Sequence, residues 1–426
     1  MKRLTTIALA LAALSVPGPP ANAAAPTCQG VRATLVGKPN HVLEGTPHRD
    51  VVVTNGADYT RTYGGDDLVC VTGGLVYSEV DTRNGDDTVV VVSARGRVAM
   101  FAGTGDDTFR GGPEKDSVFT NDGGDDIRTG DGKDEVEPTM VHASSTIDLG
   151  PGRDEMLVTK DVVQGAGATV GAGDGHDILT VSLTTKLTVG LDNVAERLVV
   201  GGQDTGLHWS SFEEFRFGDT KAPLISFAGS DVAETIRLDH GLRRAHDYDF
   251  AMGGGNDAVR TFSNTDGHVD GGTGRDIFRS SPDVDNPTGF TADLVLGTAT
   301  ASYDGGAHHD WTLAGVEDLQ ARPVFLYGYP SVVMTGDDGP NRLIGKGCDV
   351  AIDGGAGDDR ISAKGSDCDS TTRRSRATLT GGEGDDRLVG SFGRDVLDGG
   401  DGTDSADGGK RRDTCYAETT TRCELP

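Results

Sequence analysis

Large apolar side chains are sparse along this chain, and where they recur they keep a nine-residue beat. From Gly336 the sequence divides without insertion into GDDGPNRLI, GKGCDVAID, GGAGDDRIS, AKGSDCDST, TRRSRATLT, GGEGDDRLV, GSFGRDVLD, GGDGTDSAD and GGKRRDTCY. The eighth place holds Leu343, Ile352, Ile361, Ser370, Leu379, Leu388, Leu397, Ala406 and Cys415, and seven of the nine, counting cysteine, suit a core. A second array starts at 102 (AGTGDDTFR, GGPEKDSVF, TNDGGDDIR, TGDGKDEVE) and places Phe109, Val118, Ile127 and Val136 there. Isolated copies begin at 62, 82, 149, 172, 252 and 271. Nine residues are too few for a helix and its return, but enough for a tight glycine turn and about three alternating strand residues. The pattern therefore predicts an all-β solenoid in which each unit buries its apolar residue only against its neighbours. VAERLVV (194–200), SFEEFRF (211–217) and VEDLQ (316–320) have an acidic-apolar, helix-like composition, and each also reads as a short strand.

Polar places keep the same beat. Units such as GGTGRDIFR, GGAGDDRIS and GGEGDDRLV fit GGxGxDxUx at every defined position, and here the chain resembles the RTX, or haemolysin-type, calcium-binding repeat. The resemblance is close over 45–180 and 336–416, local at 252–279 and loose elsewhere. It implies a right-handed parallel β-roll, two nonapeptides to a coil, with Ca2+ held between successive Gly-Asp turns by backbone carbonyls and the sixth-place Asp. The candidate ligands are Asp67, Asp87, Asp107, Asp116, Asp125, Asp134, Asp154, Asp177, Asp257, Asp276, Asn341, Asp359, Asp386, Asp395, Asp404 and Asp413.

That geometry requires ligands on one side to lie 18 residues apart. Asp107 and Asp125, Asp116 and Asp134, Asn341 and Asp359, Asp386 and Asp404, and Asp395 and Asp413 all do. A 20-residue spacing relates Asp67, Asp87 and Asp107, and also Asp134 and Asp154. Asp257 and Asp276 lack an evident adjacent rung, and Asp177, 23 residues beyond Asp154, falls slightly out of line. The chemistry agrees, because calcium takes hard oxygens in a flexible mixture of carboxylates and carbonyls, whereas magnesium demands a stricter octahedron. A lone Asp in a glycine turn is ordinarily a turn former. An Asp on a fixed beat, two places before an apolar residue, is something more.

Charge strengthens this reading. With 67 Asp plus Glu against 39 Lys plus Arg, the formal net charge is −28, and loss of Lys2 and Arg3 with a leader takes it to −30. Nucleic acid and anionic membranes are excluded as natural partners, and cations favoured. Residues 1–23 have the basic start, short apolar stretch and small-residue end of a secretory signal peptide, predicting a secreted, extracellular protein without membrane insertion. Six cysteines in an exported chain favour disulfides, and sequence proximity suggests Cys28–Cys70, Cys348–Cys368 and Cys415–Cys423 among fifteen possible pairings. No two cysteines have CxxC spacing, which argues against zinc. The N-terminal leader and the cysteines separate the chain from RTX toxins and bring it closer to the exported haemolysin-type proteins of actinobacteria. Four regions follow: the leader 1–23, an N-terminal repeat region 24–180, a degenerate solenoid 181–335 with isolated repeats at 252–279, and a disulfide-capped array 336–426.

Catalytic signatures are thin. HExxH and GxSxG are absent, and His308-His309-Asp310-Trp311 is a single cluster without a partner motif. Two readings stand. The first is a non-enzymatic extracellular calcium-binding β-roll with a structural or adhesive role, whose partners would be extracellular or cell-surface polysaccharide or protein. The second is a secreted polysaccharide lyase or epimerase, which needs an acid-base set in a groove of the middle region.

Overall fold

The fold was examined in a computed structural model, which describes residues 25–424 except 74–75, 94–95, 160–162, 165–166, 219, 239–246, 262–264, 282–286, 323–328 and 366–374. The leader and Cys368 therefore lie outside the described residues. Each unit closes through a glycine turn into a short strand, and the chain winds on as an all-β parallel solenoid of about 17 turns. Among the described residues there is no helix. Strands pair with those one coil before and after, so equal places stack. Val89, Phe109, Ile127 and Ile147 form one such column in the first sheet. Leu343, Ile361, Leu388 and Ala406 form another in the second.

One apolar residue per unit is enough because every coil supplies the next with a lid. Phe109, Val118, Ile127 and Val136 are all completely buried. A single hydrophobic cluster runs from Val52 to Cys415, so the middle region shares the core of both arrays. Both sheets cross the expected boundaries without a break, through strand Ile178–Ser182 at one and the pairing of Tyr329–Thr335 with Arg342–Ala356 at the other.

The repeat fades in the middle because the coils there are larger. Twice, one side of a coil is a three-stranded antiparallel meander: Val189–Asp192, Arg197–Val200 and Gln203–Ser210, then Pro287–Asp293, Thr298–Tyr303 and His308–Ala314. The wider interior is filled with aromatics. Tyr248, Phe250 and Phe278 pack around Trp311, with ring centroids 5.5–6.1 Å apart. The three ambiguous stretches contribute strands, Arg197–Val200, Glu214–Phe217 and Asp318–Ala321.

Both ends are clamped. Cys28–Cys70 ties the first described strand, Thr27–Cys28, to a strand of the roll, and Cys415–Cys423 closes the last coil. Cys348 is disulfide-bonded, and the cysteine proposed as its partner lies outside the described residues.

Candidate metal centres

A strand that begins after a glycine turn carries its sixth-place residue to the corner of the coil. All sixteen candidates sit there and are at most 3% exposed. They form two ladders. On the first-sheet edge the rungs are Asp50, Asp67, Asp87, Asp107 and Asp125, with each Oδ1 accepting the previous rung's amide N–H at 2.7–3.0 Å. The same edge resumes at Ala377, Asp395 and Asp413. On the second-sheet edge Asp116, Asp134, Asp154 and Asp177 are joined in the same way. Glu234, Asp257 and Asp276 continue it, followed by Asn341, Asp359, Asp386 and Asp404.

Several rungs differ from the sequence reading. Asp177 lies in line, because the extra residues between it and Asp154 are taken up away from the corner. Asp257 and Asp276 are adjacent rungs 19 residues apart. Asp359 meets Asp386 across 27 residues, since that coil consumes three nonapeptides and not two. Glutamates fill rungs where aspartate lapses. Glu213 Oε2 accepts the Asp177 amide at 2.8 Å, Glu317 Oε2 that of Asp276 at 2.7 Å, and Glu418 Oε2 that of Asp404 at 2.8 Å. Glu234 had a signal, the sixth place of GSDVAETIR; Glu213 and Glu317 belong to the acidic pairs in SFEEFRF and VEDLQ, and Glu418 stands alone in YAETTT. In the GDD triplets at 65–67, 85–87, 105–107, 357–359 and 384–386 the second Asp makes the rung. The first builds an exposed outer column, with Asp66 and Asp86 accepting the amides of Asp86 and Asp106 at 3.1 and 2.9 Å.

The second carboxylate oxygen divides the candidates. In Asp67, Asp87, Asp107, Asp134, Asp154, Asp177, Asp257, Asp276, Asp359, Asp386, Asp404 and Asp413, Oδ2 is buried with no hydrogen-bond partner. In every one of these twelve units the second-place residue is left-handed, with φ between 74° and 118°. Glycine adopts this freely, as at Gly382, where a Cβ would run into the Gly355 carbonyl of the preceding coil. Tyr63 and Arg83 hold it against the usual penalty for an L-residue. We call these turns open.

The remaining four turns are not open. In three, the second-place N–H of Gly112, Asp337 and Ser391 is donated back to Asp116, Asn341 and Asp395, at 2.8, 2.9 and 2.5 Å, and none of the three has a positive φ; these turns are closed. In the fourth, that of Asp125, the second-place residue Asn121 likewise has no positive φ.

A buried carboxylate oxygen without a donor is costly, and twelve in one molecule require a counterpart. Burial, as the main cause, pushes the carboxyls of Asp87, Asp134, Asp154, Asp257 and Asp359 up to about 7 and that of Asp107 to about 8. Among the described residues no three His, Cys, Asp or Glu side chains converge on one point, so an ion at these corners would lean on backbone carbonyls. Hard oxygen alone, part carboxylate and part carbonyl, is a donor set that fits Ca2+. The first-place glycine supplies the space: a Cβ on Gly381 or Gly399 would strike Oδ2 of Asp386 or Asp404.

Elsewhere the middle region has a cleft of about 420 Å³ bordered by Glu196, Glu213 and Asp231, with no histidine, arginine or tyrosine in its wall among the described residues. The four residues of the 308–311 cluster do not converge. Trp311 is in the core, His309 faces Asp266 at 3.2 Å, and His308 faces Asp310 at 3.3 Å.

Comparison with known proteins agrees with the geometry. The family model of the RTX calcium-binding nonapeptide repeat matches the chain in four copies, at residues 101–136, 335–367 and 380–415. The chain thus carries RTX calcium-binding repeats on a parallel β-solenoid. No curated protein matches it. Asp67, Asp87, Asp154, Asp177, Asp257 and Asp276 lie outside the matched segments, yet their turns have the same open form.

Proposed function

We propose that this chain is an extracellular calcium-binding β-roll, non-enzymatic and structural or adhesive in role, in which Ca2+ occupies the open turns and completes the fold. The observation that carries the reading is the set of twelve buried, donorless Oδ2 atoms, each beside a left-handed second-place residue. The ion would supply the positive charge that those oxygens lack. Asp116, Asn341 and Asp395 are assigned a different task, closing their own turns, because the second-place N–H is donated back to their side chains, and Asp125 is set with them because its second-place Asn121 is not left-handed. An extracellular setting is supported by the leader-like sequence of residues 1–23 and by the disulfides at both ends.

Two neighbouring units test the assignment. Asp404→Asn is expected to lower the number of calcium ions bound, as counted by equilibrium dialysis. Asp395→Asn is expected to leave the count unchanged and lower only the melting temperature. A loss of ions from Asp395→Asn equal to that from Asp404→Asn contradicts the distinction.

A further inference from the structure

The outer face of the second sheet carries a feature that calcium binding does not use. Arg216, Arg237, Arg260 and Arg279 stand in register on four successive strands, each directly opposite the next. The row shifts by two places on the next coil and continues. Arg322, one residue beyond strand Asp318–Ala321, donates its amide to the Ser280 carbonyl at 2.9 Å, and Lys346 pairs with Lys364. Seven successive coils thus present one cation each. At a strand spacing of about 4.8 Å the row runs roughly 29 Å along the roll, with one sideways step of two places between Arg279 and Arg322.

Like charges directly opposite one another in a sheet are destabilising, and outward places make no demand on the core. A chain with a net charge of −28 has ample acid to break such a row. It does so nearer the N-terminus, where Arg61 stands opposite Asp81 and pairs with it at 3.1 Å. In the middle it does not. Arg216 is paired with Glu214 at 2.7 Å and Glu155 at 3.4 Å. The outward places two residues before Arg260 and Arg279 are Ala258 and Ile277, both uncharged. Nε of Arg260 and of Arg279 is buried without a hydrogen-bond partner among the described residues. Burial, then the neighbouring cations Arg260, Arg322 and Arg342, push Arg279 down to about 10.

The far end of the row opens into a cleft of about 630 Å³ lined, among the described residues, by Arg322, Lys346, Lys364 and Phe392 and by no acidic residue. Phe392 is 60% exposed, with Lys410 Nζ 4.9 Å from its ring centre. An exposed aromatic face among cations suits the apolar face of a sugar ring that bears an acid.

We propose that this row, from Arg216 to Lys364, is a binding track for a linear acidic glycan carrying carboxylate or sulfate groups. The guanidiniums of Arg260 and Arg279, whose Nε–H lacks an acceptor among the described residues, donate to its oxyanions, and Phe392 stacks on a ring at the end of the track. A row that runs along the roll with one charge per strand, and one sideways step, matches an extended flexible chain with a charge on each sugar, whereas a stiff nucleic-acid duplex curves away from such a line after a few contacts. The site is on the face of the roll and the calcium ladders are at its corners, so the two can be tested separately.

The test is binding of the full calcium-loaded chain to polygalacturonate, to dextran sulfate, to neutral dextran and to duplex DNA, at low and high salt. Binding to one or both acidic glycans is expected, weakening with salt, with none to neutral dextran. Arg260→Gln/Arg279→Gln is expected to weaken it at least tenfold while calcium stoichiometry and circular dichroism stay unchanged, and the unchanged stoichiometry excludes bridging by ladder calcium. Lys346→Gln/Lys364→Gln is the second variant, should the first fail to fold, and is expected to weaken binding likewise. Absence of glycan binding by the folded chain, unchanged affinity in a folded variant, or equal binding to DNA overturns the proposal.

Discussion

At the scale of the residue, the sixth-place aspartate is placed at odds with its own charge. Burial raises these carboxyls above their unfolded value, so the stability that they contribute without calcium is complete below about pH 4. It is lost as pH rises through the folded values, about 7 for Asp87 and about 8 for Asp107. The ion-free protein is therefore expected to melt at a lower temperature at pH 8.5 than at pH 5.5, and saturating calcium is expected to remove or reverse that order. Asp107→Asn isolates one rung. Without calcium it should stabilise the fold by about 1–2 kcal/mol at pH 8.5 and progressively less toward pH 5, while reducing the stabilisation that calcium adds. Differential scanning calorimetry across this range reads both effects, and destabilisation at pH 8.5 without calcium would count against a buried, unpaired charge. The rungs themselves were legible in the sequence, because place on a nine-residue beat determines burial. Which of them keep a free oxygen was not, since that depends on the backbone of the second-place residue. Glycine there is an incomplete sign, since Gly112 heads a closed turn, and Tyr63 and Arg83 are left-handed with no signal of their own.

At the scale of the element, the unit of construction is a turn and a strand of a few residues, and it is stable only between two copies of itself. This explains both what the pattern predicted and where it failed. Parallel pairing and apolar columns follow from the beat alone. The meanders at 189–210 and 287–314 break the beat, because antiparallel strands spliced into one side of a coil add residues without adding a corner. Asp177, Asp257 and Asp276, which spacing counted along the chain misjudged, lie outside the meanders, and the ladder passes through them in line. The ends are the other vulnerable elements, since an uncovered coil exposes strand edges and core. Cys28–Cys70 joins positions 42 residues apart, and its reduction is expected to cost about 2–4 kcal/mol. Hydrogen exchange should show the coils around 28–71 losing protection first, and uniform loss along the chain would contradict a capping role.

At the scale of the whole molecule, a core one side chain deep must hold together a chain of net charge −28. Each bound calcium removes two units of that repulsion and satisfies oxygens that the protein leaves without donors. A site held at a hundred times its dissociation constant adds about 2.7 kcal/mol to the folded state. Because one continuous core spans Val52 to Cys415, these contributions support a single object and not two arrays with a linker. That continuity lay beyond the sequence, where the middle shows only isolated repeats, and it rests on aromatics such as Phe215, Phe250 and Trp311 that replace the regular columns.

The most direct test is a calcium titration of the chelator-treated, disulfide-intact chain, followed by far-ultraviolet circular dichroism and melting temperature at pH 7.5. The account predicts a cooperative gain of β signal and a rise in melting temperature by millimolar calcium, with magnesium much less effective. No change in either signal up to millimolar calcium would contradict it.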